Sequence, residues 1–108
     1  MSAKRAVIYA RSTTAKAQPV SLITQIKRCR AWANKAGMTV IGEYQETKSG
    51  ISASLPVLDQ AVESARIQHA IVVCVDTSRL GRRADIIASR IEAMRQVGIT
   101  VVFLEATL

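Results

Sequence analysis

Four short apolar runs, Ala6 to Ala10, Met38 to Tyr44, Ala70 to Val75 and Thr100 to Leu104, alternate with three segments whose apolar residues recur at helical spacing. Parallel strands need a crossover between them, usually a helix, and such crossovers are right-handed. The order β-α-β-α-β-α-β therefore predicts an α/β fold: a three-layer, open, mainly parallel sheet with helices on both faces. Ala70 to Val75 contains no polar residue, as a strand buried on both faces requires. In the first helical segment Leu22, Ile26, Cys29, Ala33 and Ala36 form the stripe, with Ser21 as N-cap and Gly37 as the stop. Lys27, Arg28, Arg30 and Lys35 fall largely off that stripe and read as a solvated basic face. The second helix starts at Ser54 and Pro56 and buries Val57, Leu58, Ala61, Val62 and Ala65. The third turns Ile87, Ile91 and Met94 inward and ends at Gly98. Arg11 to Val20, Gln45 to Ser54 and Thr77 to Arg83 are predicted loops.

The 108 residues make one domain, predicted to run from 1 to 108. Its core is aliphatic, since 49% of the chain is hydrophobic but only one Trp, two Tyr and one Phe are present. The 15 Lys and Arg against 8 Asp and Glu give a net charge of +7. Such an excess favours a polyanionic partner, DNA or RNA, because neutralised phosphates release counterions. The competing reading is a basic surface with no nucleic-acid role. Cys29 and Cys74 lie in apolar patterns without metal-ligand spacing, as core thiols of a reducing compartment. With no signal-peptide pattern and nothing near the roughly 18 apolar residues of a membrane span, the expected location is cytoplasmic, with no membrane partner. No His, Cys or carboxylate cluster suggests a metal, and no phosphate-binding glycine motif suggests a nucleotide, so no cofactor is expected. His69 reads as an ordinary edge residue and Trp32 as core or interface.

Ligand sites in such sheets lie beyond the carboxyl ends of the strands. There stand Arg11 to Thr14, Glu46 to Ser52 and Asp76 to Arg83. Arg11 is followed by three hydroxyls, Ser12, Thr13 and Thr14. A guanidinium beside a hydroxyl suits phosphate binding or phosphoryl transfer, because the planar fork matches two non-bridging oxygens. Arg79, Arg82 and Arg83 bring three like charges together, which a phosphodiester would offset. Equally open is a wet loop in which Arg79 pairs with Asp76, or Arg82 with Asp85.

These residues resemble the serine recombinases of the resolvase/invertase family. That family's catalytic domain reads roughly Y-x-R-V-S-T, then Q-x-x-S-x-x-x-Q, S-G-x-x-x-x-R-P and D-R-L-[SG]-R. Here stand Tyr9-Ala10-Arg11-Ser12-Thr13-Thr14, then Gln18, Ser21 and Gln25, then Ser49-Gly50 with Leu55-Pro56, and Ser78-Arg79-Leu80-Gly81-Arg82. The resemblance implies metal-independent, site-specific DNA recombination. A hydroxyl attacks the phosphodiester, leaving a covalent 5′-phosphoprotein link and a free 3′ hydroxyl, and cleaved ends are exchanged within a tetramer. It implies catalytic and DNA-binding roles for Arg11, Arg79 and Arg82, with Arg83 also on DNA. Gln18, Gln25, Ser78 and Asp76 are supporting polar groups. Three positions depart from the pattern. Thr13 stands where the nucleophilic serine belongs, and its methyl crowds and stiffens the hydroxyl. Leu55 stands for an arginine and Ser78 for an aspartate. Ser12 is the alternative hydroxyl, but consecutive strand residues face opposite ways, so its use needs a backbone change.

Three functions compete: an active recombinase with an unusual nucleophile, a catalytically silent relative serving as a DNA-associated assembly or regulatory partner, and an unrelated α/β module. The register of the four motifs disfavours the third, as does the lack of an acidic residue after the first strand. The family continues into a dimerisation helix and a DNA-binding domain, both expected beyond this chain. A homodimer or tetramer is expected of the full-length protein and a monomer of this fragment, which should bind DNA weakly, without sequence preference and salt-sensitively.

Overall fold

The computed structural model describes residues 4–13, 21–49 and 52–105. Gln18, Thr14, Pro19 and Gly50 from the sequence reading lie outside the described residues. Along the chain come β1 (Arg5–Ser12), α1 (Leu22–Lys35), β2 (Thr39–Thr47), α2 (Pro56–Gln68), β3 (Ala70–Cys74), a 3-10 turn (Thr77–Arg79), α3 (Ala84–Gln96) and β4 (Val101–Phe103). The four strands pair in parallel in the order β2-β1-β3-β4.

Alternation along β1 and β3 sorts their side chains onto two cores. Ala6, Ile8, Val73 and Val75 pack under α1 with Cys29 and Ala33. Val7, Tyr9, Val72 and Cys74 pack on the other side with Leu58, Ala61 and Ala65 of α2 and Met94 of α3. The sheet is thus covered on both faces, α1 on one and α2 with α3 on the other, as the alternation of elements predicts. Small residues at the contacts (Cys29, Ala33, Ala61, Ala65) let the helix axes approach the sheet closely. Each fully buried valine or isoleucine contributes about 1.5–3 kcal/mol. Trp32 packs half-buried against the α1 core rather than standing free.

The helix ends show which local signals acted. Ser21 caps α1, its hydroxyl accepting from Thr24 N–H at 3.1 Å. Gly37 turns the chain at φ 76, in the left-handed region that glycine adopts at least cost. Ala36, expected in the buried stripe, is instead the exposed C-cap, because the helix stops at Lys35. At α2 the expected start at Ser54 moves to Leu55, which offers no side-chain cap. His69 is not a plain edge residue: at φ 55 it forms the left-handed C-cap of α2, its N–H bonding Ala65 O. β2 extends three residues beyond the expected Tyr44, because Gln45, Glu46 and Thr47 pair with Ala10, Arg11 and Ser12. β3 ends one residue early, at Cys74, and β4 shortens to Val101–Phe103.

Candidate active site

From β1 the chain crosses over α1 to β2 on one side, and later strands are laid down on the other side of β1. The order therefore reverses between β1 and β3, and a crevice opens beyond their carboxyl ends. Arg11 and Ser12, expected in a loop, instead close β1 there, and Thr13 follows them, while Asp76 to Arg82 lie beyond β3.

Arg11 is only 2% exposed. Its guanidinium does not open to solvent. Nε donates to Arg79 O at 2.9 Å, Nη1 to Lys48 O at 2.7 Å, and Nη2 to Ser78 O. One side chain thus ties the end of β1 to the segments after β2 and β3. Burial pulls its pKa below the ordinary value; Tyr9 opposes this, while the charges of Arg79, Arg82 and Arg90 add to it. A guanidinium stays protonated regardless. Buried Gln25 continues the β1 ladder: Arg11 N–H donates to its Oε1 at 3.2 Å, and its Nε2 donates to Arg11 O at 3.1 Å.

Across the crevice, Arg79 Nη1 donates to Arg11 O at 2.6 Å and Nε to Asp76 Oδ1 at 3.3 Å. The pairing of Arg79 with Asp76 is therefore present, but inside the arginine cluster rather than on a wet loop. Asp76 caps the 3-10 turn, accepting from Ser78 N–H at 2.9 Å and from the Ser78 hydroxyl. Burial works against ionisation of Asp76, yet the Ser78 hydrogen bond and the Arg79 charge outweigh it and hold the carboxyl below its ordinary value. Such a group orients Arg79 and is poorly suited to deliver a proton. Asp85 pairs with Arg83, at 3.0 Å, and not with Arg82. Arg82 is exposed and has no hydrogen-bond or ion-pair partner among the described residues.

The two hydroxyls differ. Ser12 is 3% exposed, its Oγ lying 3.3 Å from Thr47 Oγ1. Thr13, one residue past β1, is half-buried at the crevice. Leu55, in place of the family arginine, is buried in the α2-side core and brings no charge. Among the described residues, no three His, Cys, Asp or Glu are placed to hold a metal ion. Nor is any helix among them long and apolar enough to cross a membrane.

Two residues here escaped the sequence reading. Glu46, buried in β2, accepts the Tyr9 hydroxyl at 2.7 Å and the N–H groups of Val57 and Leu58 at 3.2 Å each. It supplies the cap that Leu55 lacks, and a carboxylate there also meets the positive end of the helix dipole. Burial and this hydrogen bond push the Tyr9 phenol far up. Glu46→Ala strands a buried hydroxyl and two helix N–H groups, so the urea unfolding midpoint should fall by an amount equal to about 2–4 kcal/mol. The legible signal was the alternation of β2 running on through Tyr44 and Glu46. The second residue is Arg90, a charge spaced with the apolar stripe of α3.

The sequence matches the family described as "Resolvase, N terminal domain" over residues 6–107. No curated protein sequence matches it significantly. Among solved structures, the C-terminal catalytic domain of ISC1926 TnpA, an IS607-like serine recombinase, superposes with TM-score 0.81 at 23% identity, covering 95% of this chain and 72% of that one. The N-terminal catalytic domain of TP901-1 integrase gives 0.80 at 21%, covering 94% and 78%. A resolvase family site-specific recombinase from Streptococcus pneumoniae gives 0.77 at 22%, covering 94% and 72%. At these identities the structures establish a shared fold, and the match over residues 6–107 establishes more: the chain belongs to the resolvase family, as its N-terminal domain.

Proposed function

We propose that this domain carries the cleavage and strand-exchange chemistry of site-specific DNA recombination, with Thr13 as the attacking hydroxyl. What supports the reading is the crevice between β1 and β3: Thr13 follows the end of β1, and Arg79, in the turn after β3, donates to Arg11 O at 2.6 Å. Thr13 Oγ attacks phosphorus and the bond to the 3′ oxygen breaks. That oxygen leaves as a hydroxyl, taking through water the proton that Thr13 Oγ gives up, and the 5′ end stays on the protein as a phosphothreonine ester. One phosphodiester replaces another, so the step reverses without nucleotide energy.

Arg82 and the unused N–H groups of Arg79 meet the non-bridging oxygens, where charge builds in the transition state. Arg11 acts from beneath, adding positive potential and holding the loops. Gln25 fixes the Arg11 backbone, and Gln18 is its companion polar group by resemblance. Asp76, gathered by Ser78, orients Arg79 in place of the aspartate expected at Ser78. Arg83 meets the DNA backbone by exchanging its weak exposed pairing with Asp85 for a phosphate. The partners are DNA and further copies of the full-length protein.

Incubating the full-length protein, assembled as a tetramer, with nicked recombination-site DNA should trap a protein joined to the 5′ phosphate. Absence of that adduct under conditions where the tetramer binds the site would favour a silent, DNA-associated relative.

A further inference from the structure

Arg90 sits among the inward-facing residues of α3, spaced with Ile87, Ile91 and Met94. A charge in an apolar stripe needs partners, since desolvating it uncompensated costs several kcal/mol. It finds them outside its own helix: Nη2 donates to Ser52 O at 2.9 Å and Nη1 to Leu80 O. Ser52 belongs to the segment after β2, and Leu80 follows the 3-10 turn after β3. The Leu80 side chain is fully buried, so that residue is anchored by its side chain and by its carbonyl.

The carbonyls of Ser78, Arg79 and Leu80, three in succession, each accept from a guanidinium: the first two from Arg11, the third from Arg90. Arg11 also reaches the β2 side at Lys48, and Arg90 does so at Ser52. Two arginines, one from a central strand and one from a helix, thus fasten the same two segments together at different points. Arg79 stands at the Arg11 end of this run, and Arg82 follows Leu80 by two residues.

We propose that Arg90 is a positioning residue of the arginine site, a latch that joins the segment after β2 to the Leu80 turn and so sets where Arg79 and Arg82 stand. Its Nη2 reaches Ser52 in the segment that follows β2 and precedes Leu55, which itself contributes no cation. The proposal rests on the recombination reading for its functional consequence and on geometry alone for the latch.

The test measures amide hydrogen exchange and single-turnover adduct formation on the full-length protein as wild type, Arg90→Met and Arg90→Lys. In Arg90→Met the Ser52 and Leu80 amides should exchange about tenfold faster, while those of Val72 and Val73 in β3 keep their protection. The adduct rate should drop by up to about 100-fold, the scale of an ångström's misplacement. The DNA concentration at half-saturation and the salt slope of binding should not move. Arg90→Lys keeps the charge without the planar fork and should stay close to Arg90→Met. Unchanged exchange at Ser52 and Leu80 overturns the latch, as does full rescue by lysine. A salt slope smaller by about 0.9 also overturns it, making Arg90 a phosphate contact instead. If the wild type forms no adduct, the recombination reading falls while the exchange measurements still decide the latch.

Discussion

Thr13→Ala is expected to abolish the covalent protein–DNA adduct, a loss of at least about 10⁴-fold, as removal of an attacking hydroxyl does elsewhere. Ser12→Ala should leave the adduct in place. The contrast follows from the strand end: the Ser12 hydroxyl is buried and lies against Thr47, while Thr13 stands where β1 opens onto the crevice. Bringing Ser12 to phosphorus means rotating the chain at a position whose carbonyl accepts from Lys48 N–H at 2.9 Å. Thr13→Ser removes the methyl that restricts χ1 and crowds the approach, and should form the adduct faster than the native chain. Peptide mapping of the trapped species settles the residue directly, by finding phosphothreonine at position 13. Adduct retained in Thr13→Ala and lost in Ser12→Ala would reverse the assignment.

Arg11→Met should cost stability on a scale unusual for one side chain. The substitution keeps most of the apolar stem but leaves the carbonyls of Lys48, Ser78 and Arg79 without their donor. A buried group that loses its partner forfeits about 1–3 kcal/mol, and partial access of water to this rim offsets some of the total. A net loss of about 3–5 kcal/mol is expected, comparable to the whole margin of a less stable domain. Urea unfolding followed by circular dichroism reads it as a lower midpoint at unchanged slope. A shift worth less than about 1 kcal/mol would show that water replaces the guanidinium at little cost. Arg11→Lys should recover only part of the loss, because one ammonium does not reproduce three donors held in a plane.

Much of this architecture is legible in the residues because local and tertiary preferences agree. The stripes of α1 and α2, the N-cap at Ser21 and the doubly buried β3 follow from periodicity and capping alone. So does the crevice beyond β1 and β3, but Arg11 and Ser12, expected in a loop, complete β1 because they pair with Glu46 and Thr47. What escaped was set by partners distant in sequence. Gln45 to Thr47 look like loop residues until β1 is beside them, and Glu46 becomes a helix cap only once α2 folds back onto it. Asp85 had two arginines in reach, and its choice of Arg83 over Arg82 depends on the entry angle of α3. Arg11 is the sharpest case. Chemistry favours a phosphate for a guanidinium beside three hydroxyls, yet its donors turn to backbone carbonyls that no periodicity places.

Because Arg11 fastens three strand ends, selection for folding alone suffices to retain it. A lineage that ceased to cut DNA would still carry Arg11 and Gln25, since losing either would unseat the scaffold. Arg82, exposed and without a hydrogen-bond or ion-pair partner among the described residues, answers to no such constraint and would drift once catalysis no longer held it. Among relatives of this chain, activity is therefore read from the residues the fold does not need.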